Sequence, residues 1–162
     1  MSNITFFFQG PFSSWHRCEF VVDDIKFSST KQYLMYHKAA MFGDFEIANK
    51  ILKEPDPKKQ KALARTVHKF DMNRWNDESS SIMFRGNYYK FLQNKRLYDM
   101  LLNTYPAQIA EANPYDEWWG CGLDEKSAKA TAVNKWPGMN VLGIVLTDLR
   151  DHLINEEKIE GK

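Results

Sequence analysis

The sequence predicts an α+β fold, a predominantly helical single domain with a few short N-terminal strands. Three observations predict it. Short β-branched and aromatic runs closed by turn residues stand ahead of Ser28. Apolar residues recur at helical spacing from Lys31 onward. Near the C-terminal end, Leu142, Leu146, Leu149 and Leu153 form one apolar stripe. A chain of 162 residues is long enough to bury a core without disulfide or metal staples. The expected domain covers residues 1–155, followed by a charged tail over 156–162 that frays.

Taken in order, Ile4 to Phe8 reads as a strand closed by Gly10-Pro11. Glu19 to Val22 and Ile25 to Phe27, on either side of Asp23-Asp24, read as a hairpin. Ser28, Ser29 and Thr30 supply candidate caps for a helix from about Lys31 to Phe42, ended by Gly43. A second helix follows Asp44 and stops before Pro55, with Ile47, Ala48, Ile51 and Leu52 on one side. The segment EPDPKKQK opens a basic helix whose lysines face solvent or meet phosphate. Asp77 or Ser79 is the expected cap of a longer helix carrying Ile82, Met83, Tyr89 and Leu92, and Leu97, Leu101 and Leu102 extend the helical signal to about Thr104, before Pro106. The segment EANPYDEWWGCGLDE has no periodicity and is dense in Gly, Asp and aromatics, as an ordered functional loop is. Asn140 is the expected cap of the last helix, with Asp148, Arg150 and Asp151 outside its leucine stripe. No internal repeat or linker interrupts this order.

Composition narrows the function classes. Lys+Arg 22 against Asp+Glu 21 leaves a net charge of +1, so no global field attracts a polyanion and nonspecific nucleic-acid binding is disfavoured. Cys18 and Cys121 have no metal or redox spacing and are expected as free thiols in a reducing compartment. His16, His37, His68 and His152 are scattered, so no zinc site is expected. The start of the chain carries neither a signal peptide pattern nor an apolar run long enough to span a bilayer, which predicts a cytoplasmic protein with no membrane partner. Aromatics reach 14%, a surplus that suits a core and, in part, a site stacking on planar ligands.

The unusual segments then fall into a recognisable order. GPFSSW, SSTKQYLMYHKAAMFGD, KFDMNRW, KFLQN with LLNT, EANPYDEWWGCG and PGMNVLG resemble the successive motifs of the YbiA/NADAR family, over Gly10 to Gly143. The resemblance implies a YbiA/NADAR-like fold and N-glycosidase activity. It implies as substrate either a riboflavin-pathway ribosylaminopyrimidine phosphate or ADP-ribosylated guanine, a nucleotide-sugar substrate free or within DNA. In each, ribose C1 is bonded to an exocyclic amine. Cleavage passes through an oxocarbenium-like state or through ring opening to an imine. Such a site needs a carboxylate, aromatic faces for the base and donors for phosphate or ribose, and no metal or redox cofactor.

By that resemblance, Asp116 in DEWWG matches the family's aspartate and is a candidate catalytic residue, although an Asp in NPYD also suits turn chemistry. Trp119, beside Gly120, and Trp75 match the family's tryptophans and are candidates for stacking on substrate. Trp118 and Trp15 are weaker ones. Phe12 and Ser13 belong to the family's FSN motif, with Ser14 in place of the usual Asn. Lys90 and Arg65 are basic matches suited to a diphosphate. Lys38 aligns with a family lysine, nearly two helical turns after Lys31, so both fit one helix face. Lys31 itself stands where the family usually has a catalytic Glu. Three readings stay open: a surface or phosphate-binding lysine, an amine nucleophile forming a Schiff base, or a lost acid that leaves an ADP-ribose-binding module without turnover. Asn140 and Gly143 are read as structural.

Overall fold

The computed structural model describes residues 3–161, so residues 1–2 and 162 of the expected domain and tail lie outside the described residues. The fold is α+β and mainly helical. Two compact units divide it, one of residues 14–94 and one of the chain up to Ser13 with the stretch from Lys95 onward.

In the 14–94 unit, strands β2 (Phe20–Val22) and β3 (Ile25–Phe27) form the expected antiparallel hairpin. Asp23 and Asp24 make its two-residue turn with φ of 50° and 66°, the left-handed pair that matches strand twist. Phe20 and Phe27 point inward and pack on Tyr33 of helix α1 (Thr30–Met41). Ser29 caps α1 by accepting from Gln32 N. The Gln32 side chain does more than local work. Its oxygen accepts from Ser28 N, and its amide donates to the carbonyls of Ile51 and Leu52 in the last turn of α2 (Phe45–Lys53). Asp44 caps α2, and its pKa is lowered first by the His68 backbone N–H, then by the His68 ring, and less by the capping bond from Ile47 N. Asp56 caps α3 (Pro57–Ala64), with Pro57 in the first turn.

Helix α4 (Met72–Leu92) begins earlier than Asp77 or Ser79 would place it. Asp71 caps it by accepting from Asn73 N and Arg74 N, and Ser79 is buried mid-helix. Gly86 sets its approach to α1: a Cβ there would stand 2.6 Å from the Tyr33 ring. The helical signal expected to run to Thr104 is broken after Leu92. Gln93 exchanges two hydrogen bonds with the backbone of Val21, and Asn94 donates to Glu19 O, so these side chains hold the hairpin's outer edge.

In the other unit, β1 (Ile4–Phe7) pairs in parallel with β4 (Gln108–Glu111), in the register Ile4 to Gln108. Sequence reasoning did not foresee β4, because a four-residue strand after Pro106 carries too little alternation. Helix α5 (Lys95–Leu102) precedes it, and α6 (Glu125–Lys129) and a short 3-10 turn at Val133–Lys135 follow. The last helix, α7 (Val141–Glu160), buries Leu142, Leu146, Leu149 and Leu153 as expected. It continues through most of the segment expected to fray.

Two expectations for α7 are corrected. Arg150, expected outside, is only 2% exposed; its guanidinium donates to Thr104 Oγ1, the Ala107 carbonyl and Asp151. Asn140 precedes the helix in a left-handed conformation, but its side chain does not cap it. It accepts from Glu111 N and donates to Ile109 O, fastening β4. Gly143 is structural as expected, since a Cβ there would collide with Ile109 O and the Asn140 amide. Among the described residues no helix is long and apolar enough to cross a membrane.

Candidate active site

Of the predicted site residues, Lys31, Lys38, Trp75, Lys90, Arg65 and the weaker candidate Trp15 lie in the 14–94 unit. The start of α1 positions the first. Thr30 Oγ1 and Lys31 N both donate to Ser14 O, which draws the following Trp15 over the helix. Lys31 is 6% exposed, which excludes a plain surface role, and its Nζ stands 5.0 Å from the Trp15 ring centre. Lys61 Nζ, from α3, approaches the same ring at 5.8 Å. Ammonium groups at such distances over an aromatic face are held by its quadrupole.

Lys38, in the last turn of α1, is half-buried. Its Nζ stands 4.6 Å from the Phe70 ring and 5.9 Å from Trp75, in the first turn of α4. Burial lowers its pKa first, and the positive charges of Arg65 and Lys61 push it further down. Lys38 and Trp75 are therefore brought together. Lys90 is not with them. It has no exposure, burial drives its pKa down to about 8, and the Cys18 thiol opposes that shift. An internal cation of this kind is not an open phosphate clamp.

The others, Phe12, Ser13, Asp116, Trp119, Gly120 and the weaker candidate Trp118, lie in the other unit. Phe12 packs edge-on against Phe7 at 5.8 Å, and Ser13 N closes the turn onto Gly10 O. Asp116 Oδ1 accepts from Trp118 N at 2.9 Å and Trp119 N at 2.8 Å. This is the turn chemistry that the NPYD sequence suits, and it fixes the backbone that carries Trp119. Gly120 packs tightly within the same turn, where a Cβ would meet Asp116 O at 2.9 Å.

A backbone lattice then holds the whole loop. The N–H groups of Gly138, Met139, Asn140, Val141 and Leu142 donate to the carbonyls of Cys121, Glu117, Gly120, Trp118 and Trp119. Val141 and Leu142 open α7, so their orphan amides are satisfied by the loop. That lattice does the capping expected of the Asn140 side chain.

Sequence reasoning missed three participants. Phe70 lay in the quoted KFDMNRW segment but carried no spacing signal. Lys61 was read as one of several lysines that face solvent or meet phosphate, and its approach to Trp15 depends on how α3 packs. Glu111, a residue only 4% exposed, ends the unforeseen β4. Among the described residues no group of three His, Cys, Asp or Glu side chains is arranged to hold a metal ion.

Residues 6–154 match the NADAR domain. The chain belongs to the NADAR family. This NADAR chain is 36% identical over 139 residues to protein irg-1 of Caenorhabditis elegans, a match covering 85% of the chain and 66% of that relative. The chain thus spans just under two thirds of that relative's length. It is 40% identical over 126 residues to an N-glycosidase of Acanthamoeba polyphaga mimivirus, covering 78% of the chain and 74% of the relative. Its fold is similar to the NMR structure of the Escherichia coli protein YbiA, with a TM-score of 0.79 and 25% identity, over 97% of this chain and 89% of that one.

Proposed function

We propose that this NADAR chain is a hydrolase of N-glycosyl bonds that cleaves ribose C1 from an exocyclic amine, with Lys38 as the nucleophile. The observation that carries this reading is the setting of Lys38: a half-buried ammonium, destabilised by two neighbouring cations and flanked by two aromatic rings. The first two features raise the fraction of neutral amine at neutral pH. The rings favour a cation, and the iminium formed on the same nitrogen keeps that benefit. Membership of the family and the N-glycosidase name of the mimivirus relative support the reaction class.

The chemistry balances without a cofactor. The exocyclic nitrogen lone pair expels the ring oxygen from C1, giving a C1 iminium and a hydroxyl once that oxygen takes a proton. Neutral Lys38 adds to C1, the base amine leaves with a proton, and a Lys38–C1 imine remains. Water adds to the imine, and collapse releases the lysine amine and the free sugar. Lys31 on α1, Lys61 on α3 and Arg65 directly after α3 supply positive charge suited to the phosphates of an ADP-ribosyl guanine or a ribosylaminopyrimidine phosphate.

A second reading rests on Lys31. A buried cation at the position of the family's usual acid favours a module that binds an ADP-ribose-like ligand without turnover. Incubation with ADP-ribosyl-guanosine and with the ribosylaminopyrimidine phosphate separates the two. The hydrolase releases free sugar from one of them, and borohydride added during turnover traps a protein–sugar adduct on Lys38. Lys38→Arg keeps the charge, cannot form the imine and is expected to lose turnover while retaining binding. Full activity in Lys38→Arg refutes the mechanism, and binding without any release of sugar favours the module.

A further inference from the structure

The 95–161 stretch, together with β1, encloses a cavity of about 340 Å³ to which none of the residues assigned above to catalysis or substrate binding contributes. Its floor is Ile4 and the β4 residues Ile109 and Ala110, and its walls are Trp136, Met139 and Ile144. Of the polar side chains that line it, all but Gln108 and Asp148 are already used. Asn140 is spent on Ile109 O and Glu111 N, the Thr147 hydroxyl donates to Gly143 O and accepts from Ile109 N, and the Trp136 indole N–H donates to Ala128 O. An apolar interior of this size falls at the lower end of small-ligand sites.

Among the described residues Asp148 is the one charged residue lining the cavity, and it stands exposed on α7 one turn after Ile144, at a helical spacing of four. Its side chain makes no ion pair or hydrogen bond with another described residue. Met139, Ile144 and Val133 leave 61%, 53% and 47% of their surface exposed around the opening, more apolar surface than a solvated rim requires. We infer that this cavity is a second ligand site, selective for a small molecule with an apolar body and a single positive charge, an arylalkylamine or a comparable guanidine. The apolar body fills the cavity and Asp148 is the counter-ion. An anion of equal shape meets the same apolar walls with the charge reversed and is disfavoured. The wall residues Gly138, Met139 and Asn140 also donate their backbone N–H groups to the Asp116–Cys121 loop, so an occupant touches that loop's own support.

The test uses the whole chain with phenethylamine and phenylacetate as probes, followed by NMR titration. Phenethylamine is expected to shift the Ile109 and Ile144 methyls and the Trp136 indole N–H saturably, and phenylacetate to bind about fivefold more weakly or less. Asp148→Asn is expected to lower phenethylamine affinity by about fivefold and erase the preference. Ile144→Trp, a change at an exposed position that blocks the opening, is expected to abolish binding of both probes while the spectrum stays folded. Equal binding of amine and acid, shifts confined to other parts of the molecule, or a preference that survives in Asp148→Asn each overturns the inference.

Discussion

Gly138→Ala tests how the Asp116–Cys121 loop is held. A Cβ at this position would stand 2.5 Å from the Cys121 carbonyl carbon and 2.8 Å from Gly122 N, with Gly120 O closer still. All three are backbone atoms, so no flexible side chain can swing away. Relief requires the loop and the 138–142 segment to part. That movement strains the bonds from Gly138 N to Cys121 O at 2.8 Å, Met139 N to Glu117 O at 2.7 Å and Asn140 N to Gly120 O at 3.0 Å. Overpacking costs about 1–3 kcal/mol, and weakening one or two of the bonds adds about 1 kcal/mol each. Against this, alanine restricts the unfolded chain and returns about 0.4–1 kcal/mol. The net loss is about 1–4.5 kcal/mol, centred near 3. Tm falls by about 5–15 °C for a chain of this length. Urea and thermal denaturation followed by tryptophan fluorescence measure it. Stability within about 0.5 kcal/mol of the parent, with an unchanged urea slope, refutes the claim that backbone contact at Gly138 locks the loop.

Other perturbations follow from the same geometry. Asp116→Ala removes the acceptor of two backbone N–H groups in a partly exposed turn and is expected to cost about 1–2 kcal/mol in urea unfolding; Asp116→Asn retains an acceptor oxygen and is expected to recover most of that loss. Arg150→Leu leaves the Ala107 carbonyl and Thr104 hydroxyl without their donor and is expected to destabilise by about 2–4 kcal/mol in the same assay, unlike Asp148→Ala on the solvent side of the helix. His37, packed among Phe27, Tyr33 and Tyr36, has its pKa lowered to about 4 by burial and by Arg85. The unfolded chain therefore binds a proton near pH 6.5 that the folded one refuses until about pH 4, so this contribution to stability falls as pH drops through that window. At 1.4 kcal/mol per tenfold, with a discount of about half for partial exposure, the loss is about 1–2 kcal/mol. His37→Phe should flatten the acid limb of the stability curve, and an unchanged limb rules the residue out. For Lys38, the lowered pKa predicts that kcat/KM rises with pH and levels off below the ordinary lysine value of 10.5, a profile that Lys38→Arg removes.

The amino-acid sequence by itself determined what is local. The Asp23-Asp24 turn, the Ser29, Asp44 and Asp56 caps, the left-handed Gly43 and the leucine stripe of α7 each follow from a handful of neighbouring residues. The order of its motifs also identified the family. The start of α4 was misplaced although Asp71 is an equally good cap, because several acids and serines precede the apolar run and only packing selects among them. Strand β4 escaped notice because a short strand gains its stability from its partner β1, about a hundred residues away.

Tertiary structure decided the environments. Nothing near Lys38 in sequence announces that Phe70 and Trp75 flank its ammonium, nor does anything near Lys90 or Arg150 announce their burial; long side chains change role with the surfaces that close over them. Asn140 fits a helix cap by position, but its side chain is drawn to the free amide and carbonyl of β4, because the loop's carbonyls already satisfy the helix. Propensity and periodicity act over a few residues and are legible in the chain, whereas desolvation, cation–ring contact and competition for hydrogen bonds depend on groups that only folding brings within reach.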